Sequence, residues 1–162
     1  MRKRLRIVPN PGIFAAMDEN QAKDYRFSLD LQVRWIDLDP LNHVNNSVFI
    51  QYFELGRGKY MSEASPSWNW HKNMFLIANI TCDYKKELKL TDLQPKIWVK
   101  AGKLGTKSFE LNYLVTSQEN EDRFVHAEGK STQVMFDLKE RRTIELPGWL
   151  KAELSDFDQL GS

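Results

Sequence analysis

The chain reads as an α+β domain in which one long central helix is gripped by a curved antiparallel β-sheet. Three observations predict this. Val48, Phe49, Tyr52, Phe53, Leu55, Gly56 and Tyr60 recur at helical spacing within one amphipathic stretch. Four strand-like segments follow it with short turns between them, the spacing expected of antiparallel hairpins. In the last of these, Ala127, Gly129 and Ser131 fall on one face by period two, a line of small side chains along which a helix can lie close.

In chain order, Asn10, Pro11 and Gly12 punctuate a basic opening, and Phe14 to Lys23 fits either a short helix or an arm. Phe27, Leu29, Leu31, Val33 and Trp35 then alternate with polar residues, as a strand with one buried face does. The helix starts after a possible N-cap at Asn45, Asn46 or Ser47 and runs to about Met61. Gly56 and Gly58 each cost on the order of 1 kcal/mol relative to Ala inside a helix, which implies another backbone passing close. The strands span Asn73 to Glu87, Gln94 to Lys103, Thr106 to Ser117 and Arg123 to Phe136, with turns at Gly102 to Gly105 and Gln118 to Asp122. Pro147 to Ser162 reads as a short tail helix or surface arm. The expected organisation is an arm over residues 1–24, one domain over 25–146 and a tail over 147–162.

Composition removes several classes of function. With 23 Lys plus Arg against 22 Asp plus Glu, no overall field draws the protein to nucleic acid or to an anionic membrane. No apolar run approaches the roughly 20 residues that span a bilayer, and MRKRLRIVPNPG lacks the apolar stretch of a signal peptide. Cys82 is the only cysteine, so an internal disulfide is excluded and a reducing, cytoplasmic location is expected. There is no GxSxG, HExxH, P-loop or GxGxxG motif, and His43, His71, His126 and Cys82 lack metal-ligand spacing, so neither a metal nor a dinucleotide cofactor is expected.

Chemistry concentrates in Arg34 to Arg57, RWIDLDPLNHVNNSVFIQYFELGR, where Asp37, Asp39, Asn42, His43, Asn45 and Asn46 fall within ten positions at a turn leading into the helix. A helix N-terminus presents unpaired amides and partial positive charge, so it can receive a carbonyl oxygen gaining negative charge while a nearby carboxylate handles the attacking group. That pairing points to acyl transfer or hydrolysis. Asp39 fits a base or nucleophile, or a cap on the turn ahead of Pro40. His43 fits a group that orients water or polarises a carbonyl, or a loop histidine bonded to backbone. Val44, Asn45 and Asn46 supply the oxyanion-binding amides, with the two asparagines also as caps. Asp37 holds the turn, and Glu54 with Arg57 reads as an i,i+3 ion pair on the helix.

DLDPLNHVNN, the aromatic helix ending in ELGR and the DYKKEL of the next strand together resemble hotdog-fold acyl thioesterases, over about Asp24 to Phe136. The Asp-Leu-Asp turn and HVNN are similar to those of plant-type acyl-ACP thioesterases, and DxDP to those of the hydroxybenzoyl-CoA thioesterase group and its bacterial acyl-CoA relatives. By this resemblance Asp39 is the catalytic aspartate, His43 the histidine four positions on, and Glu87 the glutamate closing the strand motif. Glu87 read alone is equally a surface charge at a strand end. Leu41 stands where the plant-type pattern has an asparagine, and Asn42 is one place late. Some hotdog thioesterases carry their carboxylate on the helix, which makes Glu54 the second candidate. The resemblance further implies a homodimer or homotetramer with the active site between subunits, and coenzyme A or phosphopantetheine arriving as part of an acyl-CoA or acyl-carrier-protein substrate.

Lys85, Lys86, Lys89, Lys103, Lys107, Arg141 and Arg142 could meet coenzyme A phosphates or an acidic carrier, or simply be solvated strand ends. Phe49, Tyr52, Phe53, Trp68, Trp70 and Phe75 could line an acyl tunnel or fill the core. The expected activity is release of a free acid and a thiol from an acyl thioester. The rivals are a hotdog hydratase or dehydratase, and a module that binds acyl-CoA without turnover.

Overall fold

The computed structural model describes residues 24–161. The arm expected over 1–24 lies outside the described residues except for Asp24, as do the Phe14–Lys23 segment and Ser162.

Helix α1 spans Asn46–Ala64 and begins where the sequence places a cap: the Asn45 side chain accepts from the Ser47 amide at 2.9 Å. It runs about one turn past Met61 and stops at Ala64, since Ser65 precedes Pro66, whose ring disfavours helix in the residue before it. The strands are β1 (Phe27–Asp30), β2 (Phe75–Tyr84), β3 (Leu93–Leu104), β4 (Ser108–Glu119), β5 (Asp122–Asp137) and the short β6 (Arg142–Thr143). They form one antiparallel sheet in the order β1-β3-β4-β5-β2, with β6 pairing β5. The β3-β4-β5 meander is therefore central, while β2 reaches the far side of β5 and has no strand on its other edge among the described residues.

The strand expected to continue from Phe27 to Trp35 ends at Asp30. Leu31 still donates to Pro95 O, and the chain then tightens into a 3-10 turn at Trp35–Asp37. The Asp37 carboxylate is the cause: it accepts from the Arg34 amide at 2.8 Å and from Arg34 Nη2 at 2.7 Å, a local alternative to the sheet ladder. Trp35, expected on the buried face, is 79% exposed as a result.

The inner face of α1 lies on the sheet. Phe53 stacks on Tyr113 at 4.6 Å between ring centres, and Phe53, Tyr60, Ile97, Val99 and Leu111 are fully buried. The small-residue line on β5 does what its spacing implies: Gly129 sits under the Phe53 ring, and a Cβ there would overlap that ring and lie 2.8 Å from Thr81 O. At Gly56 a Cβ would come within 2.7 Å of Ile97 and 3.0 Å of Val99, so the close neighbours are side chains of β3 and no backbone. Gly58 faces open space, and the expected backbone contact there is absent among the described residues.

The tail forms helix α2 over Gly148–Asp158. Its Leu150 and Leu154 are completely buried, and Asp158 Oδ2 accepts from both Tyr60 OH and the Ala101 amide at 2.6 Å. Ser65 at the end of α1 donates to Glu153. The segment thus closes the open end of the core between α1 and β3.

Candidate active site

Leu38 and Val44 face each other in an isolated antiparallel bridge, and the five residues between them form a closed turn. The Asp39 amide donates to His43 O at 2.8 Å, and the Asn42 amide to Asp39 O at 3.0 Å. Asn42 adopts a left-handed φ of 59°, a conformation asparagine tolerates better than other residues with a Cβ; its displacement by one place in the motif serves the backbone. Asp39 Oδ1 accepts from the Leu41 amide at 2.8 Å and the His43 amide at 3.2 Å. Asp39 Oδ2 has no hydrogen-bond donor among the described residues. The cap and the catalyst are compatible readings of one side chain: one oxygen fixes its orientation and leaves the other available.

Asp37 anchors this turn to the fold. Its carboxylate holds Arg34 and accepts from Tyr52 OH at 3.2 Å, and its carbonyl accepts from the Asn45 amide at 2.8 Å. Burial raises the Asp37 carboxyl, but the bonds from Arg34 and then Tyr52 outweigh it and hold the group below the usual carboxylate range.

The amides at the helix start do not act as a set of three. Val44 N donates to Leu88 O and Asn45 N to Asp37 O, both at 2.8 Å, so these two expected oxyanion donors are already occupied. Asn46 N has no acceptor among the described residues and is the open one. The following peptide is steadied from the sheet, because Tyr84 OH donates to Asn46 O at 2.8 Å. Asn45 serves as the cap.

Glu87 is brought to the same region by the Leu88–Val44 bond although it is 44 residues beyond His43. It is exposed and pairs with Lys89 at 3.3 Å. Its own amide, then Lys89, then His43 pull its pKa below the ordinary glutamate value against a desolvation that raises it, so the imidazole of His43 lies within electrostatic reach. Glu54 is exposed on α1, on the order of 12 Å along the axis from Asn46 by helical rise, and does not join the turn in the same chain. The expected Glu54–Arg57 pair is not formed: Arg57 turns inward, is 8% exposed and donates to Tyr113 OH at 3.4 Å.

Of the basic residues, Lys85, Lys86 and Lys89 border the turn and are paired with Glu128, Glu119 and Glu87. Lys103, Lys107, Arg141 and Arg142 sit at the opposite end of the sheet, where Leu104 faces Phe109 and Asp137 faces Arg142. Phe49, Tyr52, Phe53 and Trp68 are buried, whereas Trp70 is 47% exposed. Among the described residues, Asp39 lines none of the clefts of about 520, 570 and 350 Å³. Tyr84 and Leu88, which lie within DYKKEL, and His126 are components to which the sequence assigns no role in the site. Their contacts join residues about 40 positions apart, and no local pattern marks such pairs.

Comparison with known proteins agrees with this fold. Residues 33–154 match the family model of the thioesterase-like superfamily. The long-chain acyl-CoA thioesterase FadM of Escherichia coli is 32% identical over 130 residues, covering 78% of this chain and 96% of that protein. A thioesterase from Thermus thermophilus, solved with coenzyme A and zinc, superposes with a TM-score of 0.74 at 28% identity, over 86% of this chain and 99% of that one. The probable thioesterase YbaW of Escherichia coli superposes with a TM-score of 0.70 at 30% identity, over 82% and 98% of the two chains. The chain therefore belongs to the thioesterase-like superfamily as a hotdog-fold acyl thioester hydrolase.

Proposed function

We propose that the protein hydrolyses acyl-CoA thioesters, with long-chain acyl groups as the first substrates to test, and that Asp39 is its catalytic carboxylate. The observation that carries this is the division of labour within Asp39: Oδ1 is tied to the Leu41 and His43 amides, while Oδ2 is unengaged beside a helix whose Asn46 amide is open. Oδ2 takes the proton of an attacking water, or attacks the thioester carbon itself. The carbonyl oxygen then gains negative charge against the Asn46 amide and the positive end of α1. Collapse of the tetrahedral species breaks the C–S bond, and with one water consumed the products are a carboxylic acid and a thiol. His43 and Glu87 face the same region and serve to orient the water and the departing thiol. No further cofactor is needed, because coenzyme A arrives as half of the substrate.

Acyl-CoA is preferred to an acyl carrier protein because FadM is an acyl-CoA thioesterase, and Lys85, Lys86 and Lys89 beside the turn suit nucleotide phosphates. A homodimer is part of the proposal. Strand β2 is an open edge that exposes Leu76, Ile77 and Tyr84 at 47%, 40% and 45%, and none of the three clefts reaches Asp39, so a second copy paired along β2 would supply the missing wall. A cytoplasmic location is supported by the single free cysteine; no helix among the described residues is long and apolar enough to cross a membrane.

The test is thiol release from acyl-CoA and acyl-carrier substrates of several chain lengths, by wild type and Asp39→Asn. Hydrolysis by the wild type that disappears in the variant is expected. Thiol release undiminished in Asp39→Asn would reject the assignment, and turnover of carrier-bound substrates alone would reject the coenzyme A preference.

A further inference from the structure

We infer that His126, far along the chain on β5, is a positioning residue for the hydrolysis: it fixes the peptide segment against which the Asp39 turn is built. The inference rests on the reading of Asp39 given above.

His126 is fully buried, and both ring nitrogens are used. Nδ1 lies 2.8 Å from Glu87 O, and a carbonyl can only accept, so Nδ1 carries the hydrogen. Nε2 is then the lone-pair nitrogen and accepts from Ser117 Oγ at 2.7 Å, inside a site where Ser117 is itself 4% exposed. The partners thus define one neutral tautomer. Burial holds the imidazole below the ordinary histidine range, outweighing the Asp92 carboxylate 4.0 Å from Nε2. With neither nitrogen free, the ring is not itself an acid, a base or a metal ligand. Its use is mechanical.

The same residue grips the segment twice. While Nδ1–H holds Glu87 O, the carbonyl of His126 accepts from the amides of Lys85 at 2.8 Å and Lys86 at 3.2 Å. The residues just past the end of β2 are therefore fastened from two sides to β5. The next carbonyl in the segment, that of the fully buried Leu88, accepts the Val44 amide at 2.8 Å. Val44 is the residue opposite Leu38 in the bridge that closes the Asp39–His43 turn. One imidazole thus connects β5, through Glu87 and Leu88, to the two-residue ladder that aims Asp39, and it also sets where Glu87 stands.

Replacements that keep one ring contact at a time separate this role from simple core filling. His126→Asn retains a donor near the Nδ1 position, His126→Gln reaches toward Ser117 without it, and His126→Phe keeps the ring volume and neither bond. For an acyl-CoA substrate hydrolysed by the wild type, the expected order of kcat is wild type, then Asn within about threefold, then Gln and Phe down by about tenfold or more, with KM within about twofold throughout. Hydrogen exchange at the Val44 amide should accelerate in Gln and Phe but not in Asn. Equal kcat and equal Val44 exchange in the Asn and Gln variants would overturn the inference, and these two variants decide it even if the Phe variant does not fold. Asp39→Asn, run beside them, separates the two failures. Undiminished turnover there rejects the reading of Asp39, whereas an inactive Asp39→Asn with wild-type kcat and Val44 exchange in His126→Gln rejects the role of His126.

Discussion

In the proposed reaction Asp39 has a structural oxygen and a reactive one. An asparagine at this position keeps an oxygen that accepts from the Leu41 and His43 amides, so Asp39→Asn should fold with a melting temperature near that of the wild type. The lost charge should nonetheless lower kcat by about 100-fold or more, the scale associated with a positioned acid–base group. A second expectation at this scale concerns His126. Burial lowers its pKa in the folded state, so the unfolded chain binds the extra proton first, near the ordinary value of about 6.5. Stability is therefore level above that pH and falls as the pH drops below it, until the folded form also protonates. Urea unfolding at pH 7.5 and 5.5 should show this loss, and His126→Asn should reduce it. The candidate turn was legible in the sequence because an Asp, a His and cap residues crowd one helix start. Which amide remains open was not, because the acceptors that occupy Val44 and Asn45 come from Leu88 and Asp37 and depend on the assembled fold.

At the scale of elements, the glycines make opposing predictions. Gly58 faces open space in the middle of α1, so Gly58→Ala should stabilise by about 0.5–1 kcal/mol through helix propensity. Gly129 lies under Phe53 and close to Thr81 O, so Gly129→Ala should destabilise by about 1–3 kcal/mol, the range for overpacking. Chemical denaturation of both variants tests the pair; the same sign for both would contradict the packing described. The long strands and the helix were readable from periodicity, because each buries one continuous face. The end of β1 was not: Leu31, Val33 and Trp35 keep the alternation, but the bonds from Arg34 to Asp37 turn the backbone out of the sheet. Alternation records which side chains could share a face, and a buried carboxylate two residues past Trp35 decides otherwise.

For the whole molecule, hairpin spacing predicts that β3, β4 and β5 are neighbours, and they are. It does not say where β2 goes. That strand follows α1 and pairs with β5 in a register running from Phe75 opposite Met135 to Tyr84 opposite Ala127, a connection set by the helix crossing the sheet. The open edge this creates is the basis of the proposed dimer. Ile77→Lys puts a charge on that edge and should shift the protein to the monomer mass in light scattering, with loss of thiol release. An unchanged assembly with full activity would place the contact elsewhere.

Helix α2 has a consequence for biosynthesis. Leu150 and Leu154 are buried in the core, and Asp158 receives Tyr60 OH, yet all three are translated after every strand of the sheet. A chain whose sheet forms before α2 docks still lacks the apolar plug at one end, and its uncovered core is a target for chaperones until α2 packs.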